Sequence, residues 1–120
     1  MKIIDSNIII YSANPVFSYL RPLVLDTSNF VASVSLIETL GFQNLHPADE
    51  KYFKSVFRML QIIELSRVIV QRAIEIRQQQ NVKLGDSIVA ATALVHNLEV
   101  NTRNVSDFQK IPGLTVVNPI

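Results

Sequence analysis

The chain alternates short apolar runs, each too brief for a helix, with longer segments whose apolar residues recur at helical spacing, and that alternation leaves few ways to fold. Ile3-Ile4 reads as a buried strand closing at Asp5, and Ile8, Ile9, Ile10 and Tyr11 begin a helix or tight helical turn. Pro15 and Pro22 bracket a short segment, after which Asn29-Phe30-Val31-Ala32 reads as a second strand. Ser35 is expected to cap a helix carrying Leu36, Ile37, Leu40 and Phe42, and Pro47 to start another over Ala48 to Leu60. Ile62-Ile63-Glu64-Leu65 is a third strand, followed by a helix that Ser66 caps. Asp86 to His96 forms a further helix, rich in small residues that permit close packing. Leu98-Glu99-Val100 and Leu114-Thr115-Val116-Val117 supply the last strands, around a helical turn near Val105 to Lys110. Strands separated by helices require right-handed crossovers. The expected fold class is therefore α/β, an α/β/α sandwich with a mainly parallel sheet of about five strands.

No Gly/Ser linker, repeat or low-complexity stretch divides the chain, so residues 1–120 read as a single domain, long enough to bury a core without staples. The absence of cysteine excludes a disulfide framework, thiolate zinc sites and cysteine nucleophiles, and points to a reducing cytosol. The N-terminus meets Asp5 directly after Ile3-Ile4, which fits no signal peptide, and no run approaches the length of a membrane span. Lys plus Arg at 11 against Asp plus Glu at 10 leaves a net charge of +1, so any nucleic-acid binding must come from local patches.

In an open parallel sheet, ligands bind beyond the carboxyl ends of the strands, where strand order reverses. Asp5 and the stretch Thr102-Arg103-Asn104 follow strands directly, while Glu38 and Asp86 fall in the first turns of helices. All can converge on one crevice. Carboxylates gathered without cationic partners repel one another, and such clusters suit hard divalent cations. Metal-assisted cleavage of a phosphodiester is the leading expectation. Each acid also has a plain structural reading: Ser35-x-x-Glu38 is a capping box, Asp86 is a possible N-cap, and Asn104 with Asp107 has the spacing of a cap and its partner. Asp5 is harder to explain this way, because an acid directly after a buried strand needs a partner or ligand to offset its desolvation.

Four ordered segments carry a resemblance. Ile3-Ile4-Asp5-Ser6-Asn7-Ile8-Ile9-Ile10, Ser35-Leu36-Ile37-Glu38-Thr39-Leu40-Gly41-Phe42, Gly85-Asp86-Ser87-Ile88-Val89-Ala90-Ala91-Thr92-Ala93 and Thr102-Arg103-Asn104-Val105-Ser106-Asp107-Phe108 resemble the successive motifs of PIN-domain nucleases, in particular the VapC-type toxins of prokaryotic toxin–antitoxin modules. The resemblance spans nearly the whole chain. It implies an acidic pocket holding Mg²⁺ or Mn²⁺ and cleavage of single-stranded RNA. Asp5, Glu38 and Asp86 match the family's three core acids, and Asn104 takes a variable fourth position that is often acidic, with Asp107 three residues later in the same motif. A neutral Asn104 implies one tightly held ion rather than two, unless Asp107 swings in or RNA phosphate supplies the missing charge.

The resemblance further implies a small cognate antitoxin, a homodimer that extends the groove, a cytoplasmic location and no membrane. Hard-cation chemistry needs no histidine, and His46 and His96 lie outside the motifs. Ser6, Asn7 and Thr102 are candidates to bond the carboxylates or the scissile phosphate, and Lys83 and Arg103 to meet RNA phosphates. Lys51, Lys54 and Arg58 read as a solvated face or an interface rim, Tyr11, Phe42, Phe53 and Phe57 as core, and Asp26 as a surface echo of Asp5. The competing readings are a catalytically silent PIN-like interaction module, a metal-dependent phosphatase, and a nuclease acting on other nucleic acid outside a toxin–antitoxin pair. A phosphorylated receiver-type domain fits poorly, because the central strand candidate Ile62 to Ser66 offers only Glu64 as acceptor.

Overall fold

The computed structural model describes residues 1–120. Five strands, β1 (Lys2–Ile4), β2 (Phe30–Ala32), β3 (Gln61–Ile63), β4 (Glu99–Asn101) and β5 (Val116–Val117), form one sheet in the order β3-β2-β1-β4-β5. Every neighbouring pair is parallel. The chain runs outward from β1 through β2 to β3, then returns to place β4 and β5 on the other side of β1. The order therefore reverses between β1 and β4, and a crevice opens at their carboxyl ends.

Period-two alternation along each short strand builds two cores, one on each face. Ile3, Ala32 and Val100 of β4 point into a cluster with Ile69, Ala73, Val89, Ala90 and Phe108, supplied by α5 (Arg67–Gln79), α6 (Leu84–His96) and α7 (Val105–Gln109). Ile4 and Val31 point the other way, into a cluster with Ile8, Ile9, Leu20, Val24, Phe53, Val56, Phe57 and Leu60. Those come from α1 (Ser6–Ser12), a 3-10 helix (Pro15–Leu20), α2 (Arg21–Val24) and α4 (Pro47–Met59) with its cap Leu60. Between β2 and α4 lies α3 (Ser33–Leu40). No helix is long and apolar enough to cross a membrane.

Several local expectations hold. Ser66 caps α5 by accepting from the Ile69 amide at 3.3 Å, and Pro47 opens α4 behind His46, whose Nδ1 accepts from the Ala48 amide at 3.1 Å. Asp26 is a surface residue whose carboxylate serves its own turn, taking the Ser28 amide at 2.9 Å and hydroxyl at 2.7 Å.

Others need correction. Ser35 does not cap α3: the helix starts at Ser33 behind Ala32, and Ser35 is buried inside it. Glu38 consequently sits in the second turn, too far from the helix start for a capping box. Asp86 is not an N-cap either, since Lys83 holds that place and Asp86 lies within the first turn. Phe42 is not core but 53% exposed, because α3 ends at Gly41 and releases the chain to solvent. The third strand begins at Gln61, directly after α4, and as an edge strand it leaves Ile62 exposed.

Candidate active site

Asp5 leaves the central strand and becomes the N-cap of α1. Its Oδ1 accepts from the Ser6 amide at 2.8 Å, and its Oδ2 from the Thr102 hydroxyl at 2.7 Å and the Asn7 amide nitrogen at 3.3 Å. The residue is only 3% exposed, yet no cation pairs with it, since the molecule's two ion pairs are Glu50 with Lys54 and Arg72 with Glu75. The expectation that a buried acid here needs partners is met by neutral donors alone.

Those donors tie the two strand ends together. The Asp5 amide donates to the Asn101 carbonyl at 2.9 Å. Asn7 donates to the Thr102 hydroxyl oxygen at 3.3 Å and accepts from the Arg103 amide at 3.2 Å, while Thr102 Oγ1 also accepts from the Asn104 amide at 3.0 Å. Ser6 works in two directions, because its hydroxyl donates to Glu38 Oε1 at 3.2 Å while its amide serves Asp5. Asp5 and Glu38, remote in sequence, are thus held through a single serine.

Asp86 enters from α6 with Oδ2 buried and without any hydrogen-bond partner. Only two other buried side-chain polar atoms lack partners, the hydroxyls of Ser35 and Thr39 on α3. A carboxylate oxygen in this state costs more than a hydroxyl, because it carries part of a charge that goes unsolvated on that side. Burial pushes the Asp86 carboxyl up to about 6, reinforced by repulsion from Asp5 and Asp107 and opposed by Lys83. Burial likewise raises Glu38, against the Ser6 hydrogen bond and with repulsion from Asp86 adding to the rise. In Asp5 burial again dominates, partly offset by the Thr102 and Ser6 hydrogen bonds, with Glu38 adding repulsion. The four acids therefore feel one another's charge. No three of them stand close enough to close around one ion without rearrangement, a spacing consistent with mutual repulsion of uncompensated carboxylates.

Of the sequence candidates, Asp5, Ser6, Asn7, Glu38, Asp86, Thr102 and Asp107 join this one network of bonds and fields. Asn104 is the N-cap of α7, but its side chain makes no capping bond. Asp107 is the residue of that motif whose charge reaches Asp86. Arg103 places its guanidinium over the Tyr11 ring, 5.1 Å from the centroid, so half-buried Tyr11 belongs to the site's surroundings as well as to the core.

Gly85 was not among the sequence candidates. A Cβ there would stand 2.6 Å from Glu38 Oε2 and 3.3 Å from its carboxyl carbon. The missing side chain lets Glu38 lie against the first turn of α6, beside Asp86. A glycine inside the first turn of a helix, next to an acid, was the available signal, since glycine there is otherwise unfavourable. Gly85→Ala is expected to leave the fold intact or raise its stability by roughly 0.5–1 kcal/mol through helix propensity, while displacing the Glu38 carboxylate. Thermal melts and a cleavage assay on one preparation check this, and equal activity with raised stability would show that Glu38 need not sit where it does.

Comparison with known proteins adds relatives to this geometry. The PIN domain family model matches residues 2–114. A ribonuclease VapC of Rickettsia bellii is 30% identical over 102 residues, covering 83% of this chain and 75% of the relative. Among solved structures, a toxin-antitoxin complex from Klebsiella pneumoniae superposes with a TM-score of 0.81 at 30% identity, covering 100% of this chain and 98% of the other. VapBC2 from Rickettsia felis, solved bound to a DNA fragment from its promoter, gives a TM-score of 0.82 at 22% identity over 98% of this chain and 97% of its own, which speaks for the fold alone.

Proposed function

Because the chain belongs to the PIN-domain family, we propose that it is a divalent-metal-dependent endoribonuclease, Mg²⁺ or Mn²⁺ being the ion, and the toxin of a cytoplasmic toxin–antitoxin pair. The observation that carries this reading is Asp86 Oδ2, buried and unpartnered among acids that form no ion pair. The donor set is all oxygen and anionic, which fits a hard cation. Asp5, Asp86 and Glu38 are the residues that would hold it, with Asp107 in place of Asn104 as the fourth acid. When bound, the ion supplies an activated water and neutralises charge on the phosphate.

The remaining groups position these acids. Thr102 and Asn7 fix the rotamer of Asp5, and Ser6 sets Asp5 and Glu38 relative to one another. Lys83 and Arg103 stand exposed near the acids, where they can meet RNA phosphates. Relatives described as a ribonuclease and as a toxin-antitoxin complex support an RNA substrate and a protein antitoxin for this chain. Exposed apolar side chains such as Ile37, Val68 and Leu84 are surface that an antitoxin or a second copy would cover.

The test is cleavage of labelled total RNA with Mn²⁺, Mg²⁺ or EDTA, beside Asp5→Asn. Replacing groups that merely orient a metal ligand costs 10–100-fold, so loss of Asp5 itself is expected to cost about 100-fold or more. Fragments that persist in EDTA, or equal cleavage by the variant, would overturn the proposal. Metal binding without cleavage of any RNA would favour a silent interaction module.

A further inference from the structure

We propose that the cleft between the carboxyl-terminal end of α5, the Asn81–Lys83 connection and α7 is a docking site for a backbone phosphate of single-stranded RNA, adjoining the acidic centre. The inference rests on the nuclease reading above. The cleft, about 450 Å³, is lined by Arg77, Asn81, Val82, Lys83, Asp107 and Lys110. It holds three cations and one acid, and none of the cations forms an ion pair, since both pairs in the molecule lie elsewhere. The single Asp107 carboxylate offsets only part of that charge, so the cleft keeps an excess of positive charge that suits a bound anion.

Two details favour a strand phosphate over a loosely held counterion. First, the cleft shares a wall with the acids: Asp107 repels Asp86, and Lys83 acts on it in the opposite sense. A strand with one phosphate at the acidic centre must carry its neighbouring phosphates past carboxylates, and cations adjoining Asp86 offset that repulsion. Second, Lys110 stands at the cleft with its Nζ donating to the Asn81 carbonyl at 2.6 Å. An ammonium has three donors, so two remain for a ligand. Phosphate contacts of this kind fix the register of a strand without reading its sequence.

The test is binding of a fluorescein-labelled single-stranded RNA oligonucleotide in EDTA, where the metal reaction cannot proceed, as a function of salt. Single-strand binding falls with log salt at a slope near 0.7 per phosphate contact. Arg77→Gln combined with Lys110→Gln, which leaves Lys83 as the only cation in the cleft, is expected to reduce the slope by about 0.7, the share of one phosphate contact, and Arg77→Gln alone, which spares the tie to Asn81, by less. Affinity at low salt should fall about tenfold in the double variant, with the loss in metal-loaded cleavage appearing in KM rather than kcat. Lys51→Gln with Lys54→Gln on α4 should change neither. Wild-type slope and affinity in the folded double variant, with cleavage by the wild type intact, would overturn the docking site alone. A wild type that neither binds nor cleaves RNA would overturn both this inference and the nuclease reading.

Discussion

Asp86→Asn is expected to abolish metal-dependent cleavage while making the metal-free protein more stable at neutral pH. The two effects have one cause. The Asp86 carboxyl titrates near 6 in the folded chain instead of at its ordinary value of 3.8, so the native state holds this proton more tightly than the unfolded state does. Stability therefore falls as pH rises from about 3.8 to about 6, and the whole penalty is present at pH 7.5. Asparagine carries no charge, which removes both the penalty and its pH dependence. Asp86 is only partly buried, and solvent screening cuts the gain to the order of 1 kcal/mol, or roughly 3–6 °C in Tm for a domain of this size.

Divalent metal should invert the order, because an ion that binds only the native state stabilises it by mass action. In EDTA the variant melts higher, whereas with saturating metal the wild type gains and the variant does not. Calorimetry at pH 4.5 and 7.5, with and without Mn²⁺, reads all of this on two proteins. A variant that melts lower than wild type at pH 7.5 and still cleaves RNA would make Asp86 a helix-dipole residue and no more.

Phe108→Ala should have the largest effect on stability. Phe108 is fully buried and is the only buried residue of α7, where it joins Ile3, Val89 and Val100 in the core beneath β4. Removing a buried phenyl group costs about 3–5 kcal/mol, so denaturant titration should show a loss of that size and Tm should fall by roughly 10–30 °C. The same ring holds down the short helix that carries Asp107, so cleavage at a temperature where the variant is still folded should fall as well. A loss below about 1 kcal/mol would mean that α7 docks through the Thr102 and Asn7 bonds instead of through its ring.

Much of this molecule was legible before its structure. Strand and helix order, the parallel sheet and the convergence of Asp5, Glu38 and Asp86 follow from period and from strand-end placement. A strand whose neighbouring residues Ile3 and Ile4 are both apolar must be covered on both faces, which already implies helices on either side. Local capping signals fared unevenly. Ser66 performs the role its position suggests, but Ser35 does not, because the helix starts two residues earlier and buries it. A capping box is defined by where a helix begins, and the backbone turn after β2 decides that point.

What the sequence by itself determined was the identity of the charge-bearing residues and the layer to which each segment belongs, since both depend on residue type and short-range period. Only the tertiary structure decided which groups meet. The Ser6 bridge between Asp5 and Glu38, the space left by Gly85, and the choice of Asp107 over Asn104 as the acid whose charge reaches Asp86 all depend on contacts between elements far apart in the chain. The convergence of Arg77, Lys83 and Lys110 on one cleft is of the same kind. Such contacts are set by how α3, α5, α6 and α7 dock on the sheet, and docking is fixed by the fit of Phe108, Ala90 and their neighbours in the core, whose geometry no local pattern encodes.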